Sequence, residues 1–426
     1  MLLTTRLVQL GLLALAALIG FLSVRRWGLG VAVGGGMPSI WLTVSTLFEL
    51  GENPAGPGYN NPGASSMGVH GVTIIGASAL LAFALLAVVA ASDNAAGVAP
   101  EIVEAIAAAN TGTAIAYGAD DVTERLHDVV REVFEHDGAR VFPVTSGTAA
   151  NALALSAIVP PWGAVLCHET AHILNSEGGA TSLLGGGAVM RGVAGDDFLM
   201  SPDSLRRALD SVGWGDPHYS QPTALSFTQP TDRGTIYSVD QIAALTEIAR
   251  ERGMRSHLDG ARLANALVSL GCTPAEMTWK AGIDVVSLGA TKNGGLSAEA
   301  IVVFDDQASD ELVYRTKRSG HVTSKMRYQS AQLIAYLTDD LWRRLATNSN
   351  DRMRELAAGL SEIDGVEFLN RPDVNMLFVR LADEHIDRLE AAGLLFYRMG
   401  PGVIRLVTNW STTPGEIERT LTAFRP

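Results

Sequence analysis

From Ser92 onward the chain alternates helical periodicity with short apolar runs, and that alternation confines it to one broad architecture. Apolar residues recur at helical spacing over Ile102–Ala109 and Val122–Phe134, after which Val141–Val144 is a short run of strand character. The same reading predicts helices over 149–158, 205–212, 239–250 and 261–270. It predicts strands over 164–167, 223–227, 254–258, 285–288 and 300–304. Such a series folds as α/β: a mostly parallel sheet with helices on both faces, taking ligands beyond the carboxyl ends of its strands. A long amphipathic helix is expected over 331–345. The pattern then changes to strands near 366–368, 376–380, 395–397 and 404–406 with a helix over 384–392, a smaller α+β domain. The expected division is an apolar extension over 1–91, a large domain over 92–340 and a small domain over 341–426.

Residues 1–91 are a different kind of sequence. Their only charges are Arg6, Arg25, Arg26, Glu49 and Glu52, and Leu7–Val24 and Val72–Ala91 are uncharged runs near the length that spans a bilayer. Two spans, with Arg25-Arg26 on the cytoplasmic side, would carry the acidic C-terminal part to the opposite face of the membrane. No linker separates Ala91 from Ser92. Two expectations therefore stand side by side: a membrane anchor, or a translated upstream region preceding a cytoplasmic enzyme that begins near Ser92.

The remaining 335 residues carry a net charge of −14, with no basic stretch beyond Arg315 to Arg327, which excludes an extended nucleic-acid surface and favours a small-molecule ligand. Cys167 and Cys272 form neither a disulfide framework nor a metal-ligand spacing, so no metal is expected.

Only four lysines occur in the 426 residues, and Lys292 stands out. It follows the apolar run Asp284-Val285-Val286 in Ser287-Leu288-Gly289-Ala290-Thr291-Lys292-Asn293-Gly294-Gly295, where small neighbours leave room for a ligand. That is the setting of a Schiff-base lysine. Asp259, in His257-Leu258-Asp259-Gly260-Ala261-Arg262, also ends a short apolar run. An aspartate after one strand and a lysine after a later one can hold pyridoxal 5'-phosphate (PLP) at both ends of its ring, the aspartate keeping the ring nitrogen protonated. Asp259 could equally cap the following helix. Ser146-Gly147-Thr148 opens a helix after the Val141–Val144 strand and suits a phosphate, although such a triplet is also an ordinary helix cap. Arg262 either orients Asp259, contacts the cofactor's hydroxyl side or lies at the surface. His172, past a strand end, can stack on a ring or move a proton, or be structural; Glu177 is a second acid–base group beside it.

Together these motifs resemble the low-specificity L-threonine aldolases of the β-eliminating lyase group, PLP fold type I. The matching stretches are Ser92-Asp93-Asn94, Ala116–Asp120, Thr145–Leu153, Cys167–Ile173 with Glu177–Ala180, Ser226–Tyr237, His257–Ala266, Ser287–Glu299 and Arg405–Thr408, covering essentially all of 92–426. The resemblance implies that Lys292 holds the cofactor's aldehyde carbon, Asp259 its ring nitrogen, Ser146, Gly147 and Thr148 its phosphate, and that His172 stacks on the ring. It implies Arg405 and Ser92 at the substrate carboxylate, with Arg327 and Tyr117 reaching a neighbouring subunit's site in a homo-oligomer, dimer or tetramer. The implied reaction is retro-aldol cleavage of L-threonine, L-allo-threonine or related β-hydroxy-α-amino acids to glycine and an aldehyde. Phenylserine cleavage, β-elimination and transamination are the neighbouring PLP reactions, and an inactive membrane-anchored PLP domain is the reading from another class. One departure matters: where some members carry a histidine, this chain reads Gln229-Pro230-Thr231-Asp232-Arg233-Gly234, leaving His172, Glu177 or a water as base for the substrate's β-hydroxyl.

Overall fold

The structure, a computed structural model, describes residues 88–425. Leu7–Val24 and all but the last four residues of 72–91 lie outside the described residues; among the described residues no helix is long and apolar enough to cross a membrane.

Strand β1 (Val88–Val89) precedes a seven-stranded sheet built from β2 (Arg140–Val144), β3 (Gly163–His168), β4 (Val189–Val193), β5 (Gln221–Thr228), β6 (Arg255–Gly260), β7 (Val285–Gly289) and β8 (Glu299–Val303). Its order is β2-β8-β7-β6-β5-β3-β4, parallel except for β8, which runs against both neighbours. Every residue of β3, β7 and β8 is buried, as strands covered by helices on both faces must be. Behind the carboxyl end of β6, the His257 ring bridges Ser226 of β5 (2.8 Å) and Ser287 of β7 (2.9 Å), pinning three neighbouring strands. Burial pushes the His257 imidazole down to about 4, so it is a neutral structural group.

The mostly parallel sheet and the smaller C-terminal domain agree with the sequence reading, but several elements differ. The helix expected over 331–345 is two helices, Arg327–Leu337 and Leu341–Leu360, because Asp339 and Asp340 take left-handed backbone (φ 51° and 57°) and turn the chain. Strand β4 was not expected: Val-Met-Arg-Gly-Val shows no apolar run and only Val193 is buried. The helices Asp306–Arg318 and Pro414–Phe424 were not expected either.

The smaller sheet comprises β9 (Glu367–Phe368), β10 (Met376–Arg380), β12 (Tyr397–Gly400) and β13 (Val403–Val407), antiparallel in the order β12-β13-β10-β9, with β11 (Leu394–Leu395) outside it. One face of β10 and β13, through Leu377, Val379, Ile404 and Leu406, packs on Met353, Leu356, Ile417 and Phe424 of the flanking helices. The other, through Met376, Phe378 and Val407, is met by Ile236 from the large domain. β1 pairs in parallel with β11, the Ala90 N–H donates to the Leu395 carbonyl (2.9 Å), and the Val407 N–H donates to the Ala90 carbonyl (2.8 Å). Ala90 is buried in the same core. The last residues of the apolar run 72–91 are therefore an edge of the small domain.

Candidate active site

Five loops at the carboxyl ends of β3, β5, β6 and β7 and at the chain's entry from β1 converge beside the small domain. The tightest approach lies between β6 and β7. A Cβ on Gly289 would stand 2.5 Å from the Ala261 carbonyl, so only glycine lets the turn carrying Lys292 come alongside Asp259-Gly260-Ala261. Lys292 sits in the short helical turn Thr291–Asn293. Glu299 accepts from the Ala290 N–H (2.8 Å), and Asn293 donates to the Tyr336 hydroxyl (3.0 Å) and the Trp342 carbonyl (2.8 Å). The turn is thus fixed on both sides while the half-buried lysine amine makes no hydrogen bond or ion pair among the described residues. The Arg262 charge, followed by burial, holds that amine below the usual lysine range.

Arg262 is not at the surface. Its guanidinium is 12 % exposed and grips Asp93 with two bonds, Nε to Oδ2 at 2.6 Å and Nη2 to Oδ1 at 3.0 Å, and Asn375 adds a third donor at 3.3 Å. Burial alone would raise the Asp93 carboxyl; Arg262 outweighs it and leaves it below the usual value. Arg262 therefore orients toward Asp93 rather than Asp259. Ser92 caps the turn that presents Asp93, accepting from the Asn94 N–H at 3.2 Å. Arg405, on β13, donates to the Ala91 carbonyl (3.2 Å) and lies over the Tyr397 ring; its Nε is buried without a partner among the described residues. Burial and then the Arg262 charge keep its pKa lower than usual. A guanidinium with an unused donor suits a carboxylate.

Asp259, 3 % exposed, accepts from Asn151 (3.0 Å) and from the Ala261 N–H (3.0 Å). Asn151, which the sequence reading passes over inside an apolar helix, also donates to Glu177 (2.8 Å), and Glu177 receives His172 Nδ1 at 2.9 Å. Both bonds fall on Oε1 of the Glu177 carboxylate, 1 % exposed, so that oxygen orients the imidazole and its hydrogen bond raises the His172 pKa against the opposing effect of burial, while Oε2 is buried without a partner among the described residues. Asp232, also absent from the sequence candidates, accepts from the His172 backbone N–H at 2.9 Å. Burial and then the Asp259 charge raise its carboxyl.

The helix Gly147–Ile158 points its N-terminus at this cluster from β2. Ser146 caps it, accepting from the Ala149 N–H, while among the described residues the Gly147 and Thr148 N–H groups make no hydrogen bond and a Cβ on Gly147 would meet nothing within 4 Å. An open helix start, an unpaired lysine and a buried carboxylate one strand away from it fit the phosphate, aldehyde and ring nitrogen of PLP. Tyr117 and Arg327 lie apart from these residues. Tyr117 is 58 % exposed beneath Lys317, its N–H bonded to the Ser324 carbonyl, and Arg327 stacks on Tyr328. A separate cavity of about 460 Å³ opens at the other end of the strands, where β6 and β7 begin, between His136, Arg250, Arg255, Trp279 and Phe304.

The family model described as beta-eliminating lyase matches residues 90–384. The chain belongs to the β-eliminating lyase family. A low specificity L-threonine aldolase of Pseudomonas aeruginosa is 38 % identical over 330 residues, 77 % of this chain and 94 % of that protein. A solved structure of Leishmania major threonine aldolase superposes with a TM-score of 0.74 at 26 % identity, covering 79 % of this chain and 98 % of that one. A solved structure of SPT with a PLP internal aldimine, 16 % identical, shares the fold with a TM-score of 0.59 over 79 % of this chain and 86 % of that one. The fold of this β-eliminating lyase is PLP fold type I.

Proposed function

We propose that this β-eliminating lyase binds PLP and cleaves L-threonine, L-allo-threonine or related β-hydroxy-α-amino acids to glycine and an aldehyde. The observation that carries the reading is the unpaired Lys292 amine, its pKa lowered by Arg262, beside an Asp259 that β6 and Asn151 hold in place. PLP, when bound, supplies the electron sink that lets a Cα–Cβ bond break. The protein's part is binding, orientation and proton control. The Gly147 and Thr148 N–H groups with Ser146 and Thr148 hydroxyls hold the phosphate. Asp259 keeps a proton on the ring nitrogen, and His172, oriented by Glu177, covers the ring face. Lys292 would hold the cofactor's aldehyde carbon. Arg405, with Ser92 nearby, binds the substrate carboxylate and so turns the Cα–Cβ bond toward the ring's π system.

The exposed Tyr117 and the part-buried Arg327, neither bonded to Lys292 or its neighbours among the described residues, support a homo-oligomer in which they serve a neighbouring subunit's site. A cytoplasmic location suits this chemistry. The test is product analysis: the PLP-loaded protein should yield glycine and acetaldehyde from L-threonine in equal amounts. Keto acid or ammonia as the principal product would overturn the aldolase reading.

A further inference from the structure

The loop between β5 and the helix Val239–Glu251 is built more rigidly than a connection requires. Gln229 closes it on itself, donating to the Tyr237 carbonyl (2.8 Å) and accepting from the Tyr237 N–H (3.0 Å), and the Thr231 and Thr235 hydroxyls pair at 2.7 Å. Arg233 is clamped between two rings, 5.3 Å from the centre of Phe198 and 5.1 Å from that of Phe378, which ties the loop to both domains. Gly234 (φ +78°) lies against the small domain so closely that a Cβ would meet the Met376 carbonyl at 3.0 Å. What this scaffold holds still is Asp232.

The other carboxylates of the cluster are less available. Asp93 is taken by Arg262 and Asp259 by Asn151 and the Ala261 N–H, while Glu177 receives both Asn151 and His172 at Oε1 and its Oε2 is fully buried without a partner among the described residues. Asp232 differs: one oxygen accepts from the His172 N–H, and the other makes no hydrogen bond among the described residues and, on a part-buried side chain, is not sealed off as Glu177 Oε2 is. The charged groups it feels are His172, Asp259, Arg262 and Lys292, and Arg405 feels it in turn. It therefore lies among the groups that would hold the substrate's amine and carboxylate, on the loop where the sequence offers no histidine.

We propose that Asp232 is the base that takes the proton of the substrate's β-hydroxyl, an assignment that rests on the aldolase reading above. The O–H bond breaks with its proton passing to the Asp232 carboxylate, the oxygen's electrons form the aldehyde C=O, and the Cα–Cβ pair stays with the glycine half, where the cofactor's ring accepts it. Asp232 returns that proton to water as the glycine half takes one at Cα, so substrate becomes glycine plus aldehyde without net proton change. The rival base is weakened by its own surroundings: the bond to Glu177 favours a protonated His172 imidazole, which has no lone pair to offer. Burial and Asp259 together make the Asp232 carboxylate a stronger base than an exposed aspartate.

Asp232→Asn keeps an oxygen for the His172 N–H and removes the base. Three readings of the PLP-loaded variant decide the matter: the absorbance spectrum of the bound cofactor with and without glycine, exchange of the glycine α-hydrogen in D₂O, and aldehyde release from L-threonine. Glycine has no hydroxyl, so the spectrum and the exchange should stay within about twofold of the parent, while aldehyde release falls by roughly 10²–10⁴-fold. Aldehyde release within about threefold of the parent would overturn the assignment. So would a parallel loss of glycine exchange, which marks a structural role. A parent enzyme that exchanges glycine but releases no aldehyde from L-threonine or other β-hydroxy-α-amino acids would instead overturn the aldolase reading, and the assignment with it.

Discussion

Removing the Asp93 carboxylate should do more damage than its position outside the regular elements suggests. In Asp93→Ala the Arg262 guanidinium, 12 % exposed, loses both of its bonds to a partner that is itself only 2 % exposed. Breaking a buried pair from one side costs about 3–5 kcal/mol, because the remaining charge stays desolvated and unpaired. An exposed pair would cost about 1 kcal/mol or less. Asp93 also supports the charge on Lys292 while Arg262 opposes it, so the variant leaves only Asp259 and Glu299 to offset Arg262 and the lysine's pKa falls further. Two measurements follow on the same protein: denaturant unfolding without cofactor, and a pH titration of the absorbance with PLP. The unfolding free energy should drop by about 3–5 kcal/mol. The pH midpoint should move down. A loss of about 1 kcal/mol or less with an unchanged midpoint would refute the idea that this pair anchors the site.

A chain beginning at Ser92 loses the Ala90 bonds to Leu395 and Val407 and the Ala91 carbonyl that receives Arg405, about 1 kcal/mol each. It should therefore be less stable than one beginning at Ala87, and bind substrate more weakly; equal melting temperatures and KM values would contradict this. The His257 imidazole, neutral in the fold down to about pH 4, favours folding fully above its unfolded value near 6.5 and loses that contribution as pH falls from there toward 4, about 3 kcal/mol in all. Its NMR resonances should not titrate above pH 5. Glu177→Gln removes the largest influence raising His172, so that imidazole's midpoint should fall in an NMR titration, and an unchanged midpoint would show that Glu177 does not orient it.

The sheet was legible because its central strands are buried on both faces and therefore appear as uninterrupted apolar runs; β4, at an edge with one buried residue, leaves no such trace. The break between Leu337 and Leu341 hides because the apolar spacing continues in phase across Thr338-Asp339-Asp340, and only the two left-handed aspartates reveal it. In the site, Lys292 and Asp259 announce themselves at strand ends. Asn151 does not, although a polar side chain inside the apolar helix Gly147–Ile158 was a signal that something buried had to receive it. Asp93 and Asp232 are set by contacts to residues 169 and 60 positions away, which no local pattern encodes. The β1 pairing is equally nonlocal, and composition alone merges Val88–Ala91 with the apolar segment before it.

Lys292 is proposed as the residue that receives the cofactor, and with four lysines in the chain that assignment is directly testable. The protein would be loaded with PLP, reduced with borohydride to fix the cofactor covalently, digested, and its peptides sequenced by mass spectrometry. The pyridoxyl group should appear on Lys292 and on no other residue. Finding it on Lys280, Lys317 or Lys325, or finding none after saturating PLP, would overturn the assignment of Lys292.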